Sequence, residues 1–137
     1  MPSRYYSAIA QDTQLTGSIT SIAPTMAVAA TTGFPQSPNF PFVLAVDFNT
    51  ANEELVLVTN VVGLTLTITR GFNGSTPVAH GVGAVVRHVI VAQDLTDAQN
   101  HYDATTSVHG ITDTANLSTQ DQVAQSIVAT AFLTMGA

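Results

Sequence analysis

Cysteine is absent from this 137-residue chain, and so is lysine; only 9% of the residues are charged. Without cysteine there are no disulfides and no thiolate metal sites, and the redox compartment leaves no mark. The charged fraction is far below the roughly 25% of ordinary soluble domains. With arginine supplying every cation and a formal net charge of −6, the chain lacks the positive charge needed to displace counterions from phosphates. Nucleic acid is therefore excluded as a partner. No run approaches the roughly 18 apolar residues of a membrane span, and the opening MPSRYYSAIAQDTQ has no apolar core of a signal peptide. The chain is expected to be made in a cytosol and to stay soluble or assemble there, with no membrane partner.

What remains is a chain large enough to bury a core. Its surface of Thr, Ser, Ala and Asn is poorly protected against association. A protein with such a surface is expected to pack against copies of itself or against a larger assembly.

The first two-thirds alternate between strand-like and turn-like segments. Leu15–Ile22 and Thr25–Ala29 are rich in Thr, Ile and Val, with Pro24 between them. Gly33–Pro41 (GFPQSPNFP) is too rich in proline for helix or central strand and reads as an ordered turn or arm, opened by Gly33, Phe34 and Pro35. Pro41–Phe48, Glu53–Asn60 and Leu64–Arg70 follow as strands. In the last, Leu64, Leu66 and Ile68 alternate with Thr65, Thr67 and Thr69, which places an apolar face on the core and a hydroxyl face outward. Val61-Val62-Gly63 is short enough to make the second and third of these strands a hairpin. A further strand spans Ala84–Ala92. The fold class expected is mainly β, an antiparallel sandwich or barrel, with a short helix and a C-terminal amphipathic helix.

Helical signals come later. Asp94 reads as an N-cap for a helix over Asp94–Tyr102, with Asp97 in its first turn. DATTSVHGITDTAN is polar and aperiodic and reads as an extended linker. From Ser118, the stripe of Val123, Ile127 and Ala131, flanked by Val128 and Phe132, marks an amphipathic helix. Its apolar face makes Val123, Ile127, Val128 and Phe132 candidate interface residues. The organisation expected is N-terminal strands or arm over 1–32, a β-module over 33–93, and helix, linker and final helix over 94–137.

Chemistry finds little footing. His80, His88, His101 and His109 show no spacing that would put two imidazoles on one helix face. Each is expected to be satisfied by a backbone carbonyl or by water. Arg87 and His88 are neighbours on a strand and face opposite sides. Ser75 follows a glycine in GFNGS without the GxSxG frame, and Glu53 and Glu54 diverge on a strand. HGVGAVV enters a strand, so no helix N-terminus waits for an anion. No catalytic residue, metal ligand or cofactor site is assigned. Gly71, Gly74 and Gly83 are read as shaping the loop between two strands, with Asn73-Gly74 a turn dipeptide. Arg70 is expected to anchor that loop by binding a carboxylate or several carbonyls.

The same residues carry a resemblance. The run from Gly33 to Leu95 resembles a module common in virion proteins of tailed bacteriophages. It has a GFP turn, an acidic residue before a V-T strand, and then T-x-x-R-G-x-x-G-T/S-x-x-x-A-H-x-x-G-x-x-V. Here these are Gly33, Phe34, Pro35, Glu54, Val58, Thr59, Thr67, Arg70, Gly71, Gly74, Ser75, Ala79, His80, Gly83 and Val86. SVHGITDTANL, Ser107 to Leu117, is similar to the linker that often follows the module. The resemblance implies a β-rich structural module of head-decoration, head-fibre or tail proteins, commonly trimeric and located in the virion. In longer relatives a fibre domain follows the linker. A chain that stops after one helix instead suggests a capsid decoration protein, in contact with the major capsid protein or other virion proteins. A tail-tip, baseplate or neck adaptor is the alternative, and a small hydrolase or carbohydrate-binding module the third. The resemblance also implies hundreds of copies per particle for decoration and far fewer for an adaptor.

Overall fold

A computed structural model describes residues 4–104, 106–108 and 111–113, together with positions 131, 133, 135 and 136. The chain divides into two units, Met1–Thr96 and Asp97–Ala137. In the first, six strands form one antiparallel sheet: β1 (Thr13–Gln14), β2 (Thr25–Ala27), β3 (Phe42–Val46), β4 (Glu54–Val62), β5 (Thr65–Thr69) and β6 (Val85–His88). Their order is β1-β6-β3-β4-β5-β2. The two ends of that order then meet. Leu15 bridges Val28, the Thr16 amide donates to the Ala27 carbonyl, and the Ala29 amide donates to the Gln14 carbonyl. The sheet curls on itself, which removes exposed edges. The mainly β, antiparallel fold is the one the alternating runs predict.

The core fills the inside of the curl. Leu15, Met26, Val28, Phe34, Phe42, Leu44, Val46, Val56, Val58, Leu66, Ile68 and Val86 form one buried cluster. β3, with neighbours on both sides, buries all five of its residues, as its unbroken FVLAV run suits. β5 alternates as expected, with Leu66 and Ile68 buried and Thr65, Thr67 and Thr69 exposed. β4 keeps Glu54, Val56 and Val58 inward until a bulge at Thr59. The extra residue shifts the pairing, so that Val61 then opposes Leu66.

Several boundaries differ from the expectation. β4 continues to Val62, leaving a two-residue turn, Gly63-Leu64, so Leu64 is exposed and does not join Leu66 on the core. Gly63, at φ 60°, takes the first turn position, where a tight hairpin needs positive φ. Leu15–Ile22 is not a continuous strand. It makes single bridges, Leu15 to Val28 and Ile19 to His80, on either side of Gly17, a poor strand former. β6 ends at His88.

The helix α1 covers Ala92–Asp103. Asp94 lies inside its first turn and is not the N-cap. Its Oδ2 accepts the Val91 amide at 2.8 Å, reaching back as the third residue of a capping box does. Arg4 also pairs with Asp94, tying the N-terminal segment to that turn. In the second unit, the segment read as a linker contains a small antiparallel ladder, β7 (Thr106–Val108) with β8 (Ile111–Asp113). Thr, Val and Ile favour strand strongly enough to pair despite the polar setting. Val123, Ile127, Val128 and Phe132 lie outside the described residues. Among the described residues no helix is long and apolar enough to cross a membrane.

Candidate functional site

The end of β3, the start of β4, the end of β5 and the start of β6 meet at one end of the curled sheet, as their registers require. Glu54 is the first inward position of β4, paired with Val46, and the alternation that buries Val56 and Val58 buries it too. A carboxylate fully removed from water needs donors on every side. The loop that follows β5 supplies them.

Arg70 lies just beyond β5. Its Nε donates to Glu54 Oε1 at 2.8 Å and its Nη2 to Oε2 at 2.6 Å, the two-pronged geometry of a guanidinium on a carboxylate. Its remaining capacity goes to the carbonyls of Thr20 and Val78. The Gly71 amide donates to Oε1 at 2.9 Å, and the Val78 amide to Oε2 at 3.1 Å. His80 completes the shell, with Nε2 3.0 Å from Glu54 Oε2 and Nδ1 2.6 Å from Asp47 Oδ2. Burial by itself would raise the Glu54 pKa. Arg70, the Gly71 amide, His80 and the Val78 amide outweigh it and hold the carboxyl down at about 2.

The backbone is shaped for this shell. Gly71 has φ 61°, and a Cβ there would lie 2.9 Å from the Pro77 ring. The chain then makes a single 3-10 turn over Phe72–Gly74. Ser75 locks the turn to β4. Its Oγ accepts the Leu55 amide at 2.9 Å and lies 2.9 Å from the Phe72 carbonyl, to which it can donate. His80 is fixed by its own backbone as well, through reciprocal bonds with Ile19. Gly83 donates its amide to the Leu15 carbonyl at 2.9 Å, which leads the chain into β6.

Of the residues singled out from sequence, Arg70, Gly71 and His80 converge on Glu54. Gly74 and Gly83 shape the loop without entering the cluster. The expectation that Arg70 binds a carboxylate or several carbonyls is met on both counts. The expectation for His80 is corrected. Two carboxylates, not a carbonyl or water, satisfy its ring, because strand alternation points Glu54 inward beside it. Glu53 and Glu54 do diverge, Glu53 accepting the Asn49 amide in an exposed turn, but that divergence is what delivers Glu54 to the interior. Asp47 was not singled out. Its signal, an acidic residue ending an apolar strand just before a polar turn, is too common to find by itself.

Gly33, Phe34 and Pro35 belong elsewhere. Gly33 has φ 74°, and a Cβ would lie 2.1 Å from the Ile9 carbonyl oxygen, so only glycine fits beneath that strand of backbone. Phe34 is buried against Phe42, with ring centroids 5.9 Å apart, and Pro35 is buried beside it. Arg87 and His88 do leave β6 in opposite directions. Arg87 pairs with Asp12 and lies over the Phe48 ring, while the His88 ring meets Phe42 edge-on. Burial lowers the His88 pKa, and its Nε2 finds no protein partner among the described residues. An open groove of about 440 Å³, lined by Asp12, Thr13, Gln14, Ala29, Ala30 and Val85, shares no residue with the Glu54 cluster.

No protein-family model matches the chain, and no curated protein matches it.

Proposed function

We propose that this chain is a structural protein of a bacteriophage virion, a capsid decoration protein that works as a homo-oligomer, most simply a trimer. The observation that carries the reading is the internal use of the motif's polar groups. Glu54, Arg70, the Gly71 amide, Ser75 and His80 spend their hydrogen bonds on one another and on the loop backbone. A motif used in that way specifies a rigid scaffold. The outward face of β2, β4 and β5 carries no charge: Thr25 on β2, Thr59 on β4, and Thr65, Thr67 and Thr69 on β5 are all exposed. Threonine hydroxyls and methyls pack and hydrogen-bond against another protein without the desolvation cost of burying charge. The resemblance to phage virion modules supplies the assembly.

The mechanism is additive. A decoration protein that binds the closed shell and not its separated subunits stabilises the shell through the binding free energy of each copy. Electron imaging of the assembled particle tests the proposal through position and copy number. Density on the head in hundreds of copies supports decoration. Density confined to the neck or tail favours the adaptor reading, since the same motif serves there. Absence from the particle overturns both.

A further inference from the structure

Both ring nitrogens of His80 face carboxylates, and the motif's scaffolding role does not require that arrangement. Glu54 already receives Arg70 and two backbone amides. On the other side of the ring, Asp47 ends β3 with a left-handed φ of 55° and opens a turn folded on itself. Thr50 donates its Oγ1 to the Asp47 carbonyl at 2.8 Å, and Glu53 accepts the Asn49 amide at 2.6 Å. Among the described residues, the side-chain tie from this turn to the interior is Asp47 Oδ2 on His80 Nδ1, beside a long backbone bond from the Phe48 amide to the Val85 carbonyl at 3.4 Å. The ring itself is fully buried, whereas the Asp47 side chain is 24% exposed.

We propose that His80 is a proton-operated latch. While the ring carries both protons it clamps the Asp47–Glu53 turn to the barrel, and loss of the Nδ1 proton releases that turn. A neutral imidazole has one donor and one acceptor nitrogen. With both carboxylates ionised, only the doubly protonated ring can donate to each. Glu54 faces Nε2 from full burial, so that bond has no water to replace it. Asp47 stands on the solvent side, so the proton that leaves is the one on Nδ1, taken up by water. The Nδ1 lone pair then confronts a carboxylate oxygen, and the Asp47 turn moves away while the Nε2–Glu54 bond stays.

Among the described residues, the groups facing His80 come from three elements. Asp47 comes from the β3–β4 turn and Glu54 from β4; Arg70 reaches it only through Glu54, and Ile19 contributes backbone alone. Each ring nitrogen faces a carboxylate oxygen, so the clamp belongs to the doubly protonated ring and not to the neutral one. Release would leave Phe48 held by its long amide bond to the Val85 carbonyl and by the Arg87 guanidinium 4.2 Å from its ring centroid, and so loosen the outer surface around Asp12 and Arg87.

The test uses the full chain, with Asp47→Asn as the informative variant. An asparagine at this position can turn its amide to donate to Nδ1 or to accept from it, so the turn stays tied in either protonation state. Nitrogen NMR of the ring is read from about pH 5 to about pH 8, the range in which histidine charge changes. The expected result is two protonated ring nitrogens at the acid end and an Nε2–H neutral ring at the alkaline end. Amide exchange at Phe48 to Thr50, corrected for its intrinsic pH dependence, should quicken at least about tenfold across that range in the wild type. In Asp47→Asn it should not. A ring already neutral at the acid end, or a turn whose exchange follows the same course in both proteins, overturns the proposal. His80→Gln gives a second readout. If it folds, its melting temperature should lose the change that the wild type shows between about pH 5 and about pH 8; if it does not fold, the Asp47→Asn comparison still decides.

Discussion

Arg70 and Arg87 form the same chemical pair in two different settings. Each directs its guanidinium at one carboxylate, Arg70 at Glu54 and Arg87 at Asp12, with Arg87 Nε 2.9 and 3.0 Å from the two Asp12 oxygens. Around Arg70 the partner carboxylate is fully buried; around Arg87 the side chains are 43% and 45% exposed. At the buried end, removing one partner strands the other away from water. At the exposed end, water and salt replace whatever is lost. Two ion pairs with matching geometry therefore carry unequal shares of the fold's stability.

The largest effect is expected at Arg70. Arg70→Ala leaves Glu54 charged, buried and short of its main donors, a change that costs about 3–5 kcal/mol. For a domain of this size that lowers the melting temperature by about 10 °C or more, measurable by calorimetry. Arg70→Lys should fall in between. Lysine keeps the charge but cannot present the planar fork that serves Glu54 and the Thr20 and Val78 carbonyls together. A loss of about 1–3 kcal/mol in urea unfolding is expected, for the donors it cannot replace.

Acid sharpens the contrast. The Glu54 carboxyl is held at about 2 against an ordinary 4.5, so its contribution is present above the ordinary value and is lost as pH falls through about 2. The wild type should lose stability steeply between those two values. Glu54→Gln, less stable at neutral pH, should show a flatter curve there, as read by melting temperature against pH. The smallest effect belongs to Arg87→Ala, which should leave the melting temperature nearly unchanged, and less changed still at high salt. Thr67→Lys on the outer sheet face belongs with it for stability. It should leave the fold intact yet weaken co-sedimentation of the chain with the particle, since it would bury a charge in the proposed contact.

The parts of this picture legible from sequence are those set by local rules. Period-two alternation in LTLTIT gave the buried Leu66 and Ile68 and the outward threonines, and the glycines and Asn73-Gly74 marked the loop after Arg70. The motif placed Arg70, Gly71 and His80 on one loop. What it could not show is which carboxylates they meet. Glu54 is recruited by a strand pairing, β3 with β4, and Asp47 by the end of that pairing; neither is local to the loop. The closure of the sheet through Leu15 and Val28 depends on contacts between segments whose strands are only two or three residues long, too short for a periodic signal. The ladder of β7 and β8 was missed because composition suggested a linker, while pairing depends on register.

The most direct test of the central claim, that the motif's polar residues brace the module from within, is a pair of double-mutant cycles. Glu54 and Arg70 are replaced singly and together, and so are Asp12 and Arg87, with stability read by urea unfolding at neutral pH. The account predicts a coupling for Glu54 and Arg70 near the upper end of the roughly 0.5–3 kcal/mol range of interacting neighbours. For Asp12 and Arg87 it predicts a coupling indistinguishable from zero. Equal couplings for the two pairs, or a Glu54–Arg70 pair that behaves additively, would contradict it.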